Sequence, residues 1–154
     1  DAIGEIRIIS HDLRPSLLDT LGLAAAVTQL VAEFEQQTGL TIHYTHNLSH
    51  LKLAEGAPVA LFRILQEALT NIERHAHAQN VYIDLRSSKQ QVQLTVRDDG
   101  VGFRVDVERL QEIQGGIGLR NIRERVEHFR GQLNLYSVPG HSELTVTVPV
   151  NIVA

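Results

Sequence analysis

Residues 67–78 read EALTNIERHAHA. Glu67, Asn71 and Arg74 fall at i, i+4 and i+7, so on a helix they share one face. Leu61, Ile64, Leu65, Ala68, Leu69 and Ile72 recur at helical spacing on another face. The pattern predicts a helix that opens at Pro58, in its first turn, and ends near residues 75–79. A carboxylate, a carboxamide and a guanidinium on one face can serve a phosphate–metal site. The Asn oxygen suits a hard cation such as Mg²⁺, the Arg holds phosphate oxygens, and the Glu orients or deprotonates a nucleophile. The plain alternative is a solvated polar face, and this helix alone does not decide between them.

Working outward, an earlier stripe of Leu23, Val27, Leu30, Val31 and Phe34 predicts a helix that ends at Gly39. Residues 41–45 alternate, with Ile42 and Tyr44 on one face, and predict a short strand. Residues 2–14 carry Ile3, Ile6, Ile8, Ile9 and Leu13 at roughly helical spacing, and Pro15 interrupts them. After the central helix, residues 81–85 and 92–96 alternate as two strands around a polar hairpin turn at 87–91. DDGVGF (98–103) follows as a glycine-punctuated loop, then a polar segment, then a second glycine loop that opens GGIGLRNIRERV (115–126). Leu119, Ile122, Val126 and Phe129 predict a helix there, closed by Gly131. Residues 133–136 and 144–148 predict two last strands around Pro139-Gly140. The expected fold class is α+β, a two-layer sandwich with helices on one face of a mixed, largely antiparallel sheet.

The bulk properties narrow the field. A chain of 154 residues fits one domain with its own core. The formal net charge of −4 leaves no basic footprint and argues against a nucleic-acid partner. There is no cysteine, so disulfides and thiolate metal sites are excluded. No apolar run approaches the roughly 20 residues needed to cross a bilayer. The chain begins at Asp1 inside a helical pattern, and we read it as a piece of a longer protein.

The two glycine stretches carry their own chemistry. Asp98 sits at a strand end, where a carboxylate can accept a hydrogen bond from an exocyclic amine. Gly100 and Gly102 let backbone approach a flat ring. Backbone N–H groups at the start of the helix after Gly116 and Gly118 make a ready anion site. An ordinary Asp-Gly turn and a flexible loop are the bland alternatives.

Taken in order, these motifs resemble the ATP-binding catalytic domain of sensor histidine kinases. That fold is shared in outline with type II topoisomerases, heat-shock chaperones and mismatch-repair ATPases (the Bergerat fold). The resemblance spans nearly the whole chain. LRPSLLDTLGLAAAV followed by FRILQEALTNIERHAHA is similar to the nitrate-sensor branch of these two-component proteins. It implies residues 1–15 as the end of a dimerisation helix and residues 16–154 as the catalytic domain. Asn71 would ligate Mg²⁺ bridging the ATP phosphates, and Glu67 would assist attack by the acceptor histidine. Arg74 and His75 would sit near the phosphates. Asp98 would bind the adenine amine, with Gly100 and Gly102 shaping the base pocket. Gly116, Gly118 and Leu119 would border the triphosphate under a mobile lid at 104–115. Ile72, Val101, Phe103 and Ile117 are candidates for the pocket wall. Where the family often has Gly-Thr, this chain has His141-Ser142, and Ser142 can still donate a hydroxyl.

SHDLRPSL (10–17) is similar to the phosphorylated-histidine motif of the commoner kinase class, but His11 lies closer to Asn71 than that class allows. The resemblance places the acceptor histidine before Asp1. It implies ATP and Mg²⁺ as cofactors and a response-regulator aspartate as the relay partner. It also implies a homodimer through a dimerisation domain absent here, and a cytoplasmic domain whose full-length protein could carry a membrane anchor. The chain alone is expected to bind Mg-ATP, to autophosphorylate poorly, and to be a monomer or weak dimer. Alternatives are a chaperone or mismatch-repair ATPase, a serine kinase of the anti-sigma type, a non-catalytic ATP-binding module, and a domain whose glycine loops are only structural.

Overall fold

The computed structural model describes residues 22–48, 53, 55–88, 90–101 and 116–150. The expectations for residues 1–15, His11 among them, and for the lid at 104–115 lie outside these residues.

Helix α1 (Leu23–Thr38) buries the expected stripe and stops at Gly39, whose φ of 76° is left-handed. Its amide donates to the Glu35 carbonyl, which caps an otherwise unpaired helix end. Strand β1 (Thr41–Asn47) follows at once. Helix α2 (Ala57–Asn71) starts with Pro58 in its first turn. Strands β2 (Asn80–Ser87) and β3 (Gln91–Asp98) form a hairpin. Helix α3 (Gly116–His128) leads to the last hairpin, β4 (Gln132–Val138) and β5 (His141–Pro149).

The five strands form one mixed sheet in the order β1-β2-β3-β5-β4. Only β1 and β2 pair in parallel, because α2 crosses between them, and the other pairs are antiparallel. The three helices lie side by side on one face: α1 against β1, α2 against β3, and α3 against β4 and β5. Flanked by α1 and α3, α2 buries a wide arc that includes Leu61, Phe62, Ile64, Leu65 and Leu69. It meets Val81, Ile83 and Leu85 of β2, Val92, Leu94 and Val96 of β3, and Leu144, Val146 and Val148 of β5 in one core. Each such side chain contributes roughly 1.5–3 kcal/mol by leaving water.

The other sheet face is polar. There His43 stacks on Tyr82 at 4.7 Å, Arg97 lies 4.2 Å above the Tyr82 ring, and Asp84 pairs with Arg86 at 2.6 Å. The α+β expectation is borne out. The second glycine loop is not a loop at Gly116 and Gly118, which already form the first turn of α3.

Candidate functional site

The site forms where α2 ends above one end of the sheet. Asn71 is the last α-helical residue, and a single π turn, Ile72–Ala76, continues the chain. The Ile72 amide still donates in the α pattern to the Ala68 carbonyl, shared with that of Leu69, so the widening comes after it. Widened turns of this kind are uncommon and recur at functional sites. The turn ends at His77, held at a left-handed φ of 51°. The helix was expected to run with one period past Arg74. The wider turn breaks the α period on which the shared face of Asn71 and Arg74 depended, and Arg74 is exposed. Glu67, one turn before Asn71, is half-buried. The His75 side chain lies outside the described set.

Asp98 follows from strand periodicity. Val92, Leu94 and Val96 point inward along β3, and the next inward position is Asp98, with 3% of its surface exposed. A carboxylate there loses water. Burial pushes its pKa above the usual 3.8, the Gly100 amide opposes this by donating to Oδ1 at 2.9 Å, the Asp99 carboxylate raises it further, and His141 lowers it. One oxygen is thus used by the backbone, and the Asp98 side chain lines a cleft.

Its neighbour does different work. Asp99 is exposed and accepts from the Gln79 amide, the Asn80 amide and the Asn80 side-chain amide, each at 2.9 Å. Those bonds, the Asn80 ones first, hold its pKa below 3.8. Asp99 therefore fixes the loop that carries Asp98. Gly100 completes the clamp. Val101 N–H donates to the Ala76 carbonyl at 2.7 Å, and Gly140 N–H donates to the Gly100 carbonyl at 2.7 Å. A Cβ on Gly100 would collide with the Ala76 carbonyl oxygen and sit 2.8 Å from its carbon. The close approach expected of Gly100 is thus to the π turn.

The cleft is partly open to solvent. Asn71 and Ile72 come from above, Asp98 and Val96 from β3, Ser142 and Leu144 from β5, and Leu119 from the first turn of α3. Asn71, Asp98, Leu119 and Ser142 are thus brought together as the motifs suggested. Ile72 lines the wall; Val101 is 57% exposed and does not. Glu67 and Arg74 are not among the lining residues. Gly102, Phe103 and the side chain of Ile117 lie outside the described set.

One residue escaped the motif reading. Ser137 of β4 opposes Ser142 of β5, and their hydroxyls are 2.7 Å apart. The available signal was a break in alternation: Leu133 and Leu135 point inward, and the next inward position is a serine. The same break occurs at Asp98 and Ser142, and register aligns all three in one row, Asp98↔Ser142↔Ser137.

Residues 56–152 match the family model described as histidine kinase-, DNA gyrase B- and HSP90-like ATPase. The chain belongs to this family. Among curated proteins it is 40% identical over 148 residues to the sensor histidine kinase MctS of Rhizobium johnstonii, a match covering 96% of this chain and 32% of that protein. It is 31% identical to the histidine-protein kinase/phosphatase DegS of Brevibacillus brevis, over 97% of this chain and 38% of that one. The chain thus spans about a third of the length of these relatives. The histidine kinase domain from the Erythrobacter litoralis EL346 blue-light activated kinase superposes with a TM-score of 0.67 at 21% identity, covering 83% of this chain and 61% of that one. Acinetobacter baumannii AdeS gives 0.68 at 17%, covering 84% and 64%. These structures share the fold. The expected resemblance to sensor histidine kinases is borne out, and this is an ATPase-family domain. Among the described residues no helix is long and apolar enough to cross a membrane.

Proposed function

We propose that this domain binds Mg-ATP and passes its γ-phosphoryl group to a histidine outside the chain, for relay to a response-regulator aspartate. The observation that carries the reading is Asp98, a buried carboxylate with a raised pKa that shares a cleft with Asn71. A buried acceptor is costly unless a donor meets it, and the exocyclic amine of adenine is such a donor.

The other groups fit around that contact. Ile72, Val96, Leu119 and Leu144 give the cleft apolar walls for a purine ring. Ser142 adds a hydroxyl beside Asp98. Asn71 leads from the base toward the phosphates, and its carboxamide oxygen is a suitable ligand for Mg²⁺. Among the described residues no three His, Cys, Asp or Glu side chains gather into a metal site. The cation would be held by Asn71, with phosphate oxygens and water completing its shell. Bound there, it would neutralise charge on the phosphates. The first turn of α3 reaches the cleft through Leu119, and N–H groups at a helix start, which lack intrahelical partners, suit a triphosphate. Arg74, exposed three residues beyond Asn71, would reach the phosphates only from the solvent side.

In the transfer, a histidine nitrogen attacks the γ-phosphorus and the bond to the β–γ bridging oxygen breaks, releasing ADP. Glu67 can orient or deprotonate the attacking imidazole. Because phosphoryl transfer depends mostly on positioning and charge neutralisation, the chain without its acceptor should hydrolyse ATP weakly at most. The relatives' names, sensor histidine kinase and histidine-protein kinase/phosphatase, support the kinase reading.

Calorimetric titration with a non-hydrolysable ATP analogue tests the first half. Binding should require Mg²⁺ in the wild type, and Asn71→Ala should lose most of that Mg²⁺ dependence. Incubation of the full-length protein with γ-labelled ATP tests the second half. Acid-labile label that disappears in Glu67→Gln or Asn71→Ala is expected. Acid-stable label would point to a serine or threonine kinase and overturn the histidine assignment.

A further inference from the structure

We propose that Ser137 is a positioning residue that selects adenine by fixing the hydroxyl of Ser142. The inference rests on the ATP reading above and adds a residue on the edge strand that makes no contact with the base.

Ser142 is 1% exposed, so its hydroxyl cannot turn to solvent. It faces Ser137 across the β4–β5 pair at 2.7 Å, the optimum for an O–H···O bond. On the other side it is in register with Asp98 on the same sheet face, and both line the cleft. The backbone holds this row together, because the β4–β5 turn donates from Gly140 to the carbonyl of Gly100, in the loop that follows Asp98.

A hydroxyl has one proton to give and two lone pairs. When Ser137 donates to Ser142, the Ser142 proton is directed away from Ser137 and toward the cleft. The cleft then presents an acceptor, Asp98, next to a donor, Ser142. Adenine offers the complementary pair, the 6-amine donor and the N1 acceptor. Hypoxanthine and guanine offer the reverse, O6 and N1–H. Without Ser137, the Ser142 hydroxyl can rotate and present a lone pair instead, and the donor is no longer fixed.

The test is titration of the intact protein with Mg²⁺ and non-hydrolysable analogues of adenosine and inosine triphosphate. The wild type should prefer the adenine nucleotide. Ser137→Ala should weaken that binding roughly three- to tenfold, the range of one hydrogen bond, and change the inosine nucleotide much less. Ser137→Thr should restore the preference. Ser137→Cys keeps the shape with a weaker donor and should fall between, which guards against a folding defect. In a Ser142→Ala background, Ser137→Ala should have no further effect. Equal losses for both nucleotides, additive losses in the double variant, or wild-type affinity in Ser137→Ala would each overturn the inference and leave the ATP reading standing. Failure of the wild type to bind any adenine nucleotide would remove both.

Discussion

Replacing Asp98 by asparagine should separate stability from binding. The side chain keeps its shape, and an amide oxygen can still accept from Gly100 N–H, the 2.9 Å bond present now. What changes is charge. In the folded protein the Asp98 carboxylate is buried and its pKa lies above the ordinary 3.8. An acid with a raised folded pKa binds its proton more tightly when folded, so ionisation works against folding. That penalty is absent below pH 3.8 and grows as pH rises through the folded pKa. At neutral pH the nucleotide-free Asp98→Asn protein should therefore be as stable as the wild type or more so, and the difference should vanish in acid. Binding should move the other way. The variant loses a hydrogen bond to a charged acceptor, about 1.5–3 kcal/mol, and sets an amide donor against the adenine amine, which leaves a buried donor unpaired for about 1–3 kcal/mol more. Together these weaken binding by roughly two to four orders of magnitude. Denaturant unfolding across pH and calorimetric titration of an ATP analogue measure the two quantities. A variant that is markedly destabilised at pH 7, or that binds ATP like the wild type, would refute the assignment of Asp98 as a ligand-facing carboxylate.

Two further outcomes follow from the loop that carries Asp98. Gly100→Ala must displace either the new methyl group or the Ala76 carbonyl, which is already held by Val101 N–H. A cost near 3 kcal/mol, the top of the overpacking range, and a drop of about 10 °C in Tm are expected in thermal unfolding; an unchanged Tm would mean that the loop is not clamped to the π turn. Asp99→Ala removes the acceptor for Gln79 and Asn80 and should cost about 1 kcal/mol, at the low end for three bonds because the site is exposed. Its folded pKa is lowered, so the wild-type advantage is present above 3.8 and is lost as pH falls through the folded value. Unfolding curves of the two proteins should converge in acid, and a gap that persists there would contradict this role.

The sequence by itself determined the elements and much of the chemistry. Hydrophobic period is a local property, so Leu23 to Phe34, Leu61 to Ile72, and the alternating Val, Ile and Leu positions of β2, β3 and β5 disclosed which face of each element is buried. Gly39 and Pro58 disclosed two helix boundaries, because backbone conformation restricts which residues fit there. Asp98 was legible as a strand-end carboxylate, and Asn71 as a helix-face carboxamide. Only the tertiary structure decided how these meet. The π turn after Asn71 breaks the α period that put Arg74 on the Asn71 face, and no residue pattern announces a change of helical winding that depends on packing. Gly100 could be read as a glycine needing space, but the atom that claims the space, the Ala76 carbonyl, is distant in sequence. The row Asp98, Ser142, Ser137 exists because strand order β3-β5-β4 and a particular register align three polar breaks. Register is set by pairing between segments far apart in the chain, whereas periodicity is written within each one.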